Sequence, residues 1–404
     1  MGQLIMTIGT VLNNAGNFEL RRTVERLREG LFDPFGVRVL TSGEEKLNSV
    51  FDQGAKALGI RGSFCQCISG AYGQGKSHSL AYIRQRALDQ GFVVSYINLD
   101  PRQVPFHNFK SVYRSLMQAM IFPDEKTTFD QVWKAQTQGK NCLEFIPGNL
   151  PLRFKAVLAA IAGKNRDIPF EKRKLKKYAG FKPREFSWIL KNACMGKEIP
   201  LWKLKPALHY RQVDFCRQGS LTCRRPEQYP GLITGMAELI QRIGFKGWVI
   251  LFDEGESIVQ SPVTLRSKSY KFLDQFFFPE PAVKGFYPVF AFTPDFFRQV
   301  QDEDYDREKT SRTGKSLYFE KDYKAAWKNI HVFNLHNLST GEWDALIEKL
   351  ILIHAHAYLW QPQAGSLQNE MGRVLSTYNG AEPRLKLKLL VHHLDLAQQK
   401  NRME

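Results

Sequence analysis

Gly70-Ala71-Tyr72-Gly73-Gln74-Gly75-Lys76-Ser77 fits G-x-x-x-x-G-K-[ST], the Walker A or P-loop pattern. Phosphate binding asks for these residue types in this order. Gly70, Gly73 and Gly75 let the loop wrap until its backbone N–H groups converge on phosphate oxygens, with Gln74 and His78 beside them in the expected nucleotide contact set. Lys76 can reach the β- and γ-phosphates as a point charge, and the Ser77 hydroxyl can ligate Mg²⁺. The flanks agree with the motif. Residues 64–68, Phe-Cys-Gln-Cys-Ile, predict a buried strand entering the loop. Leu80, Ile83, Ala87 and Leu88 recur at helical spacing after it, over about 78–90. The helix N-terminus then directs its partial positive charge at the phosphates.

A second motif lies downstream. Trp248-Val-Ile-Leu-Phe-Asp253-Glu254 is an apolar run ending in two acids, the Walker B arrangement. A buried strand fixes the carboxylates at its C-terminal tip. Asp253 then serves as an Mg²⁺ ligand, usually through water, and Glu254 as the base that polarises an attacking water, with Glu256 close behind. Residues 286–292 predict a further core strand, and Thr293 at its end is a candidate to orient that water; the competing reading is a strand-end turn with Pro294. Residues 92–99 read as another strand of a mainly parallel sheet, followed by Asp100 as a cap of the helix predicted from 109 to 120. ATP and Mg²⁺ are the implied cofactors. The fold class that follows is α/β: a three-layer P-loop NTPase core.

Composition bounds the rest. The chain has 404 residues, a formal net charge of +17 and six cysteines without framework spacing. The charge predicts attraction to a polyanion, and the cysteine usage suits a reduced, cytoplasmic setting. A basic signal-peptide n-region is lacking, Met6 stands where myristoylation wants Ser or Thr, and no uncharged apolar run has membrane-spanning length, so no membrane association is expected. Between Leu152 and Arg225 there are 19 Lys and Arg against 5 Asp and Glu, which accounts for +14 of the +17. The densest piece is Lys172-Arg-Lys-Leu-Lys-Lys177. Phe154, Tyr178, Phe181, Phe186, Trp188 and Trp202 are interleaved with such charges, a pattern suited to tracking phosphates. DNA contact through 152–225 is the leading expectation, with an acidic protein partner or a solvated helical insert as the alternatives. His209, Cys216 and Cys223 lack the tight Cys pair of a zinc site and predict no metal.

Other segments are read more coarsely. Residues 18–29 and 44–58 predict helices, and 37–40, Val-Arg-Val-Leu, a short strand. Residues 301–321 are charged and poor in apolar side chains and predict a surface loop, from which Arg307 or Arg312 could act as an arginine finger on a neighbouring subunit or simply be solvated. Ser339 and Glu342 form a capping box opening a helix to about 358. Further helices are expected near 366–378 and from Pro383, with Arg384 in the first turn able to report nucleotide state or be merely solvated. The division expected is 1–126 and 231–334 for the two parts of the ATPase core, 127–230 for a basic helical insert and 335–404 for a helical lid.

The two Walker motifs, Thr293 and Gly380-Ala-Glu-Pro-Arg384 together resemble the AAA+ superfamily, especially its origin-recognition and STAND-like branch. Arg21-Arg-Thr-Val-Glu-Arg-Leu-Arg-Glu-Gly30, the Gly70–Ser77 loop and Asp253-Glu-Gly-Glu256 are more similar still to the ATP-binding proteins of bacterial BREX-type phage-defence systems. The resemblance covers about 1–125 and 240–404 and leaves the basic segment aside. It implies an ATPase that works with DNA or with other defence-system proteins, as a homo-oligomer. A signalling or loader ATPase acting through protein partners is the alternative, and a non-catalytic nucleotide-binding scaffold a third that Asp253 and Glu254 argue against.

Overall fold

The computed structural model describes residues 12, 15–163, 181–215, 219–223, 228–279, 283–312 and 318–403. It is mixed α/β, with a six-stranded, mainly parallel sheet: β1 (Gln66–Ser69), β2 (Val93–Asn98), β3 (Met120–Ile121), β4 (Trp248–Asp253), β5 (Phe286–Phe292) and β6 (His331–Asn334), in the order β3-β2-β4-β5-β1-β6. The chain forms two compact units. The larger comprises Gln53–Cys67 and Arg86–Val332. The smaller comprises Met1–Asp52, Ile68–Gln85 and Phe333–Glu404. β1 and β6 each begin in the larger unit and run on into the smaller.

The larger unit is organised by β2, β4 and β5, which pair in parallel with Asn98 opposite Asp253 and Phe252 opposite Phe290. Every residue of β4 and β5 is buried, as continuous apolar strands covered on both faces require. Aromatic side chains fill the space beside them. Phe252 stacks on Phe290 with ring centroids 4.4 Å apart, and Phe106 and Phe276 meet Phe252 edge-on. β3, too short to be read from the sequence, adds antiparallel to β2. The helices Leu152–Ala162, Pro183–Cys194 and Leu201–Tyr210 join the same core rather than closing one of their own. Phe154, Phe186 and Leu204 are buried in it; the Tyr113 hydroxyl donates to the Cys194 carbonyl at 2.8 Å and the Trp133 indole N–H to the Leu158 carbonyl at 2.8 Å. Lys172 to Lys177, Tyr178 and Cys216 lie outside the described residues.

The smaller unit has its own apolar core. Leu20, Val24 and Leu27 of the helix Asn17–Arg28 meet Ile347, Leu350 and Ile353 of Thr340–Tyr358 and Leu390, Val391 and Leu394 of Pro383–Met403. A polar network ties the same helices. Arg28 donates to both carboxylate oxygens of Asp395 at 2.8 and 2.5 Å; His354 Nε2 lies 2.9 Å from Asp395, and the Trp360 indole donates to His354 Nδ1 at 3.0 Å. Accepting at Nδ1 leaves the proton of a neutral His354 on Nε2, where it meets the carboxylate. Burial opposes ionisation of Asp395, but the hydrogen bonds from Arg28 and His354 outweigh it and lower its pKa.

Three expectations need correction. Residues 37–40 are not a strand but the end of the helix Pro34–Leu40: Asp33 accepts from the Gly36 N–H at 2.8 Å as its N-cap, and Pro34 supplies a preset φ. Residues 301–312 are not loop but the C-terminal part of the helix Pro294–Arg312, whose charged face is compensated by an ion pair between Glu303 and Arg266. Asp100 does not cap the helix Phe109–Gln118, which Asn108 caps; its carboxylate accepts from the N–H groups of Arg102 and Gln103 in a tight turn.

Candidate nucleotide site

In the smaller unit, β1 ends at Ser69 and the helix Lys76–Asp89 begins at the lysine of the motif. The loop between them takes backbone shapes that glycine makes accessible: φ is +76° at Gly73 and +93° at Gly75. Space matters as well as torsion. A Cβ on Gly73 would stand 2.9 Å from a carboxylate oxygen of Glu382, and one on Gly70 would stand 3.1 Å from Leu335 Cδ1. Gln74 braces the turn by accepting from the Ala71 N–H at 2.7 Å and donating to Asn337 Oδ1 at 2.9 Å. Lys76 is buried, its ammonium donating to the Gly70 carbonyl at 3.1 Å and lying 4.9 Å from the Tyr72 ring centroid. Ser77 is exposed in the first turn of the helix. A cradle closed to side chains, with a cation at its base and a hydroxyl in the first helical turn, fits a nucleotide phosphate and its Mg²⁺ chemically.

His78 continues the site. Its Nε2 lies 2.8 Å from Thr41 Oγ1, whose hydroxyl donates to the Val37 carbonyl at 2.5 Å, and the Phe32 ring meets it edge-on at 4.6 Å. With the Thr41 proton so used, Nε2 is the donor to Thr41, which leaves Nδ1 as a buried acceptor without a protein partner among the described residues. Burial lowers the His78 pKa to about 4. The folded protein therefore binds fewer protons at this ring than the unfolded chain between about pH 4 and 6.5, and the contribution to stability, complete above pH 6.5, is lost as pH falls toward 4. The ring proton resonances of His78 are expected to titrate with a midpoint near pH 4 in NMR; a midpoint near 6.5 would contradict the enclosed, neutral imidazole.

The Gly380–Arg384 motif also approaches the loop. Its residue against Gly73 is Glu382, whose carbonyl also receives the first N–H groups of the helix Pro383–Met403. Arg384 is exposed and lays its Cγ and Cδ over Gly30, a glycine at φ +74°. The buried cation of that helical turn is Lys386, which donates to the Asn379 carbonyl at 2.9 Å. Glu382, Leu335 and Asn337 are loop neighbours that sequence reasoning missed; only Glu382 stood inside a quoted motif.

In the larger unit, β4 delivers Asp253 to the end of the sheet. Asp253 is buried, and its two oxygens accept from the Tyr96 hydroxyl at 2.7 Å and the Glu254 N–H at 2.9 Å. Tyr96, from β2, is a partner that the sequence did not announce. Glu254 is exposed and left-handed, at φ +56° and ψ +38°, a conformation costly for a side chain with a Cβ that Glu125, Gln212 and Leu359 share at positive φ. Gly255 then passes so close to β5 that a Cβ would stand 2.5 Å from the Phe292 ring, and Glu256 turns inward and is buried. Thr293 is buried at the end of β5, and its carbonyl accepts from the Phe296 N–H as the helix Pro294–Arg312 opens. Arg307 and Arg312 lie on that helix. Arg312 is exposed, whereas Arg307 lines a cavity of about 370 Å³ with Arg266 and Glu303.

The family profile described as "BREX system ATP-binding protein BrxC/D" matches residues 18–132 and 226–404, well over half of the chain. No curated protein and no solved structure matches it.

Proposed function

Because the chain belongs to the family of BREX system ATP-binding proteins BrxC/D, we propose that it is a phage-defence ATPase with an AAA+-like P-loop core, hydrolysing ATP while engaged with DNA. The observation that carries the reading is the Gly70–Ser77 loop, which joins a strand to a helix and holds the Lys76 ammonium against its own Gly70 carbonyl. A phosphate oxygen is a stronger partner for that ammonium than a neutral carbonyl, because the hydrogen bond is then between ions. Gln74 holds the turn, and Glu382 fills the space beside Gly73.

Within this reading, Ser77 and Asp253 are the Mg²⁺ ligands, and Mg²⁺ when bound supplies neutralisation of phosphate charge. Tyr96 and the Glu254 N–H hold the Asp253 carboxylate in one orientation, so that it is preorganised as a ligand. Glu254 takes a proton from the attacking water, Thr293 orients that water, and Arg384 responds to the nucleotide. The segments 1–126 and 231–334 form the ATPase core, 127–230 the DNA-contacting insert and 335–404 the lid; the assembly is a homo-oligomer acting with other defence proteins in the cytoplasm.

The test is the rate of ATP hydrolysis per protomer, measured over a range of protein concentrations with and without duplex DNA. Stimulation by DNA and a specific activity that rises with concentration are expected. Turnover indifferent to DNA would transfer the reading to a switch acting through proteins, and absence of turnover to a nucleotide-binding scaffold.

A further inference from the structure

Two tryptophans stand exposed among lysines. Trp188 is 59% and Trp202 66% exposed, although tryptophan is highly buried on average. The helix Pro183–Cys194 buries Phe186, Ile189, Leu190 and Ala193 and leaves Arg184 and Trp188 on its outer stripe at i and i+4, followed at i+7 by Lys191, whose ammonium is paired with Asp130 at 3.0 Å. The helix Leu201–Tyr210 repeats the arrangement. It buries Leu204, Ala207 and Leu208 and exposes Trp202 with Lys205 three residues on, while the Lys203 ammonium lies 5.0 Å from the Trp202 ring centroid. Phe181 flanks Trp202 with ring centroids 6.4 Å apart. From 181 to 210 there are five lysines and one arginine against two glutamates.

We propose that these two helices form a stacking platform for single-stranded nucleic acid. The inference rests on reading the basic segment as the nucleic-acid surface and specifies which form it takes. Charge complementarity selects a polyanion. The indoles select further: the bases of a duplex are stacked on one another inside the helix and offer no face to a side chain, whereas an unpaired strand presents one on each nucleotide. An exposed indole beside a lysine then meets base and phosphate of the same nucleotide, without sequence preference, since every base has a π-face.

The test uses the full chain with 30-nucleotide oligothymidylate, the corresponding oligouridylate and a 30-base-pair duplex, followed by fluorescence anisotropy with the three probes compared at matched ionic strength over a series of salt concentrations. Tighter binding of a single strand of either sugar than of duplex is expected, with quenching of tryptophan emission. Trp188→Ala with Trp202→Ala should weaken single-strand binding by roughly 10-fold or more and abolish most of the quenching, while leaving duplex binding nearly unchanged. Trp188→Phe with Trp202→Phe should retain part of the affinity, which separates stacking from a folding defect. Lys203→Glu with Lys205→Glu should weaken both forms and flatten the salt dependence. If the tryptophan variants bind all three probes like wild type while the lysine variants bind weakly, the basic surface stands and the platform is overturned. If wild type binds none of the three, the platform and the surface fall together and an acidic protein becomes the partner.

Discussion

Glu254→Gln is expected to leave ATP binding intact and slow its hydrolysis by roughly 10²–10⁴-fold, the range that a positioned general base contributes. Glutamine keeps the length and shape of the side chain and removes only its capacity to accept a proton. The backbone at 254 sits in the left-handed region at some conformational cost, and the substitution does not relieve it. Lys76→Ala provides the contrast. It deletes the cation at the base of the glycine loop, so tight nucleotide binding itself should vanish, measured by calorimetric titration with ATP. Hydrolysis at the wild-type rate in Glu254→Gln would remove Glu254 from the mechanism. Glu256→Gln would then be the next variant to assay, since that carboxylate is buried two residues further on.

The second large effect concerns stability. Phe252→Ala should destabilise the larger unit by about 3–5 kcal/mol, a shift of roughly 10²–10⁴-fold in its folding equilibrium. Phe252 is fully buried between Phe290, stacked at 4.4 Å, and Phe106 and Phe276, each about 5.7 Å away. Those rings belong to a neighbouring strand, a loop and a helix, and no single element can collapse into the vacated volume. Phe252→Leu should cost distinctly less because it retains most of the volume. Urea denaturation followed by tryptophan emission reads both; a loss under about 1 kcal/mol in Phe252→Ala would mean that the aromatic cluster repacks freely.

What could be read from the sequence follows a physical division. The glycine loop, β4 and the Ser339–Glu342 capping box are local: torsion, apolar run and hydrogen-bond spacing are all written within eight residues. The helix Pro294–Arg312 was invisible because its stability is not local. It buries Phe296 and Val300 near one end and then relies on Glu303 pairing with Arg266, 37 positions earlier, a fact no window over 301–321 contains. The helix at 34–40 was misread for the opposite reason. Val37 and Val39 have strand-like propensity, and a cap from Asp33 with Pro34 at the first turn overrides it. Around the candidate site, Tyr96 and Glu382 reach Asp253 and Gly73 across 157 and 309 positions, and such pairings are products of topology.

The way the smaller unit is threaded bears on how the protein is made. Its apolar core draws Leu20, Val24 and Leu27 from the first stretch and Ile347, Leu350, Leu390 and Leu394 from the last, with more than 300 residues translated in between. During synthesis the helix Asn17–Arg28 emerges with only Phe35, Val39 and Leu40 of the next helix to cover its apolar stripe, and the rest of its partners follow when residues 333–404 have left the ribosome. The glycine loop, also part of this unit, waits with it, because the Glu382 side chain that abuts Gly73 is translated 309 positions later. A nascent chain stalled before Phe333 would therefore carry the glycine-loop motif without the surroundings that shape it, and with an apolar stripe covered only in part.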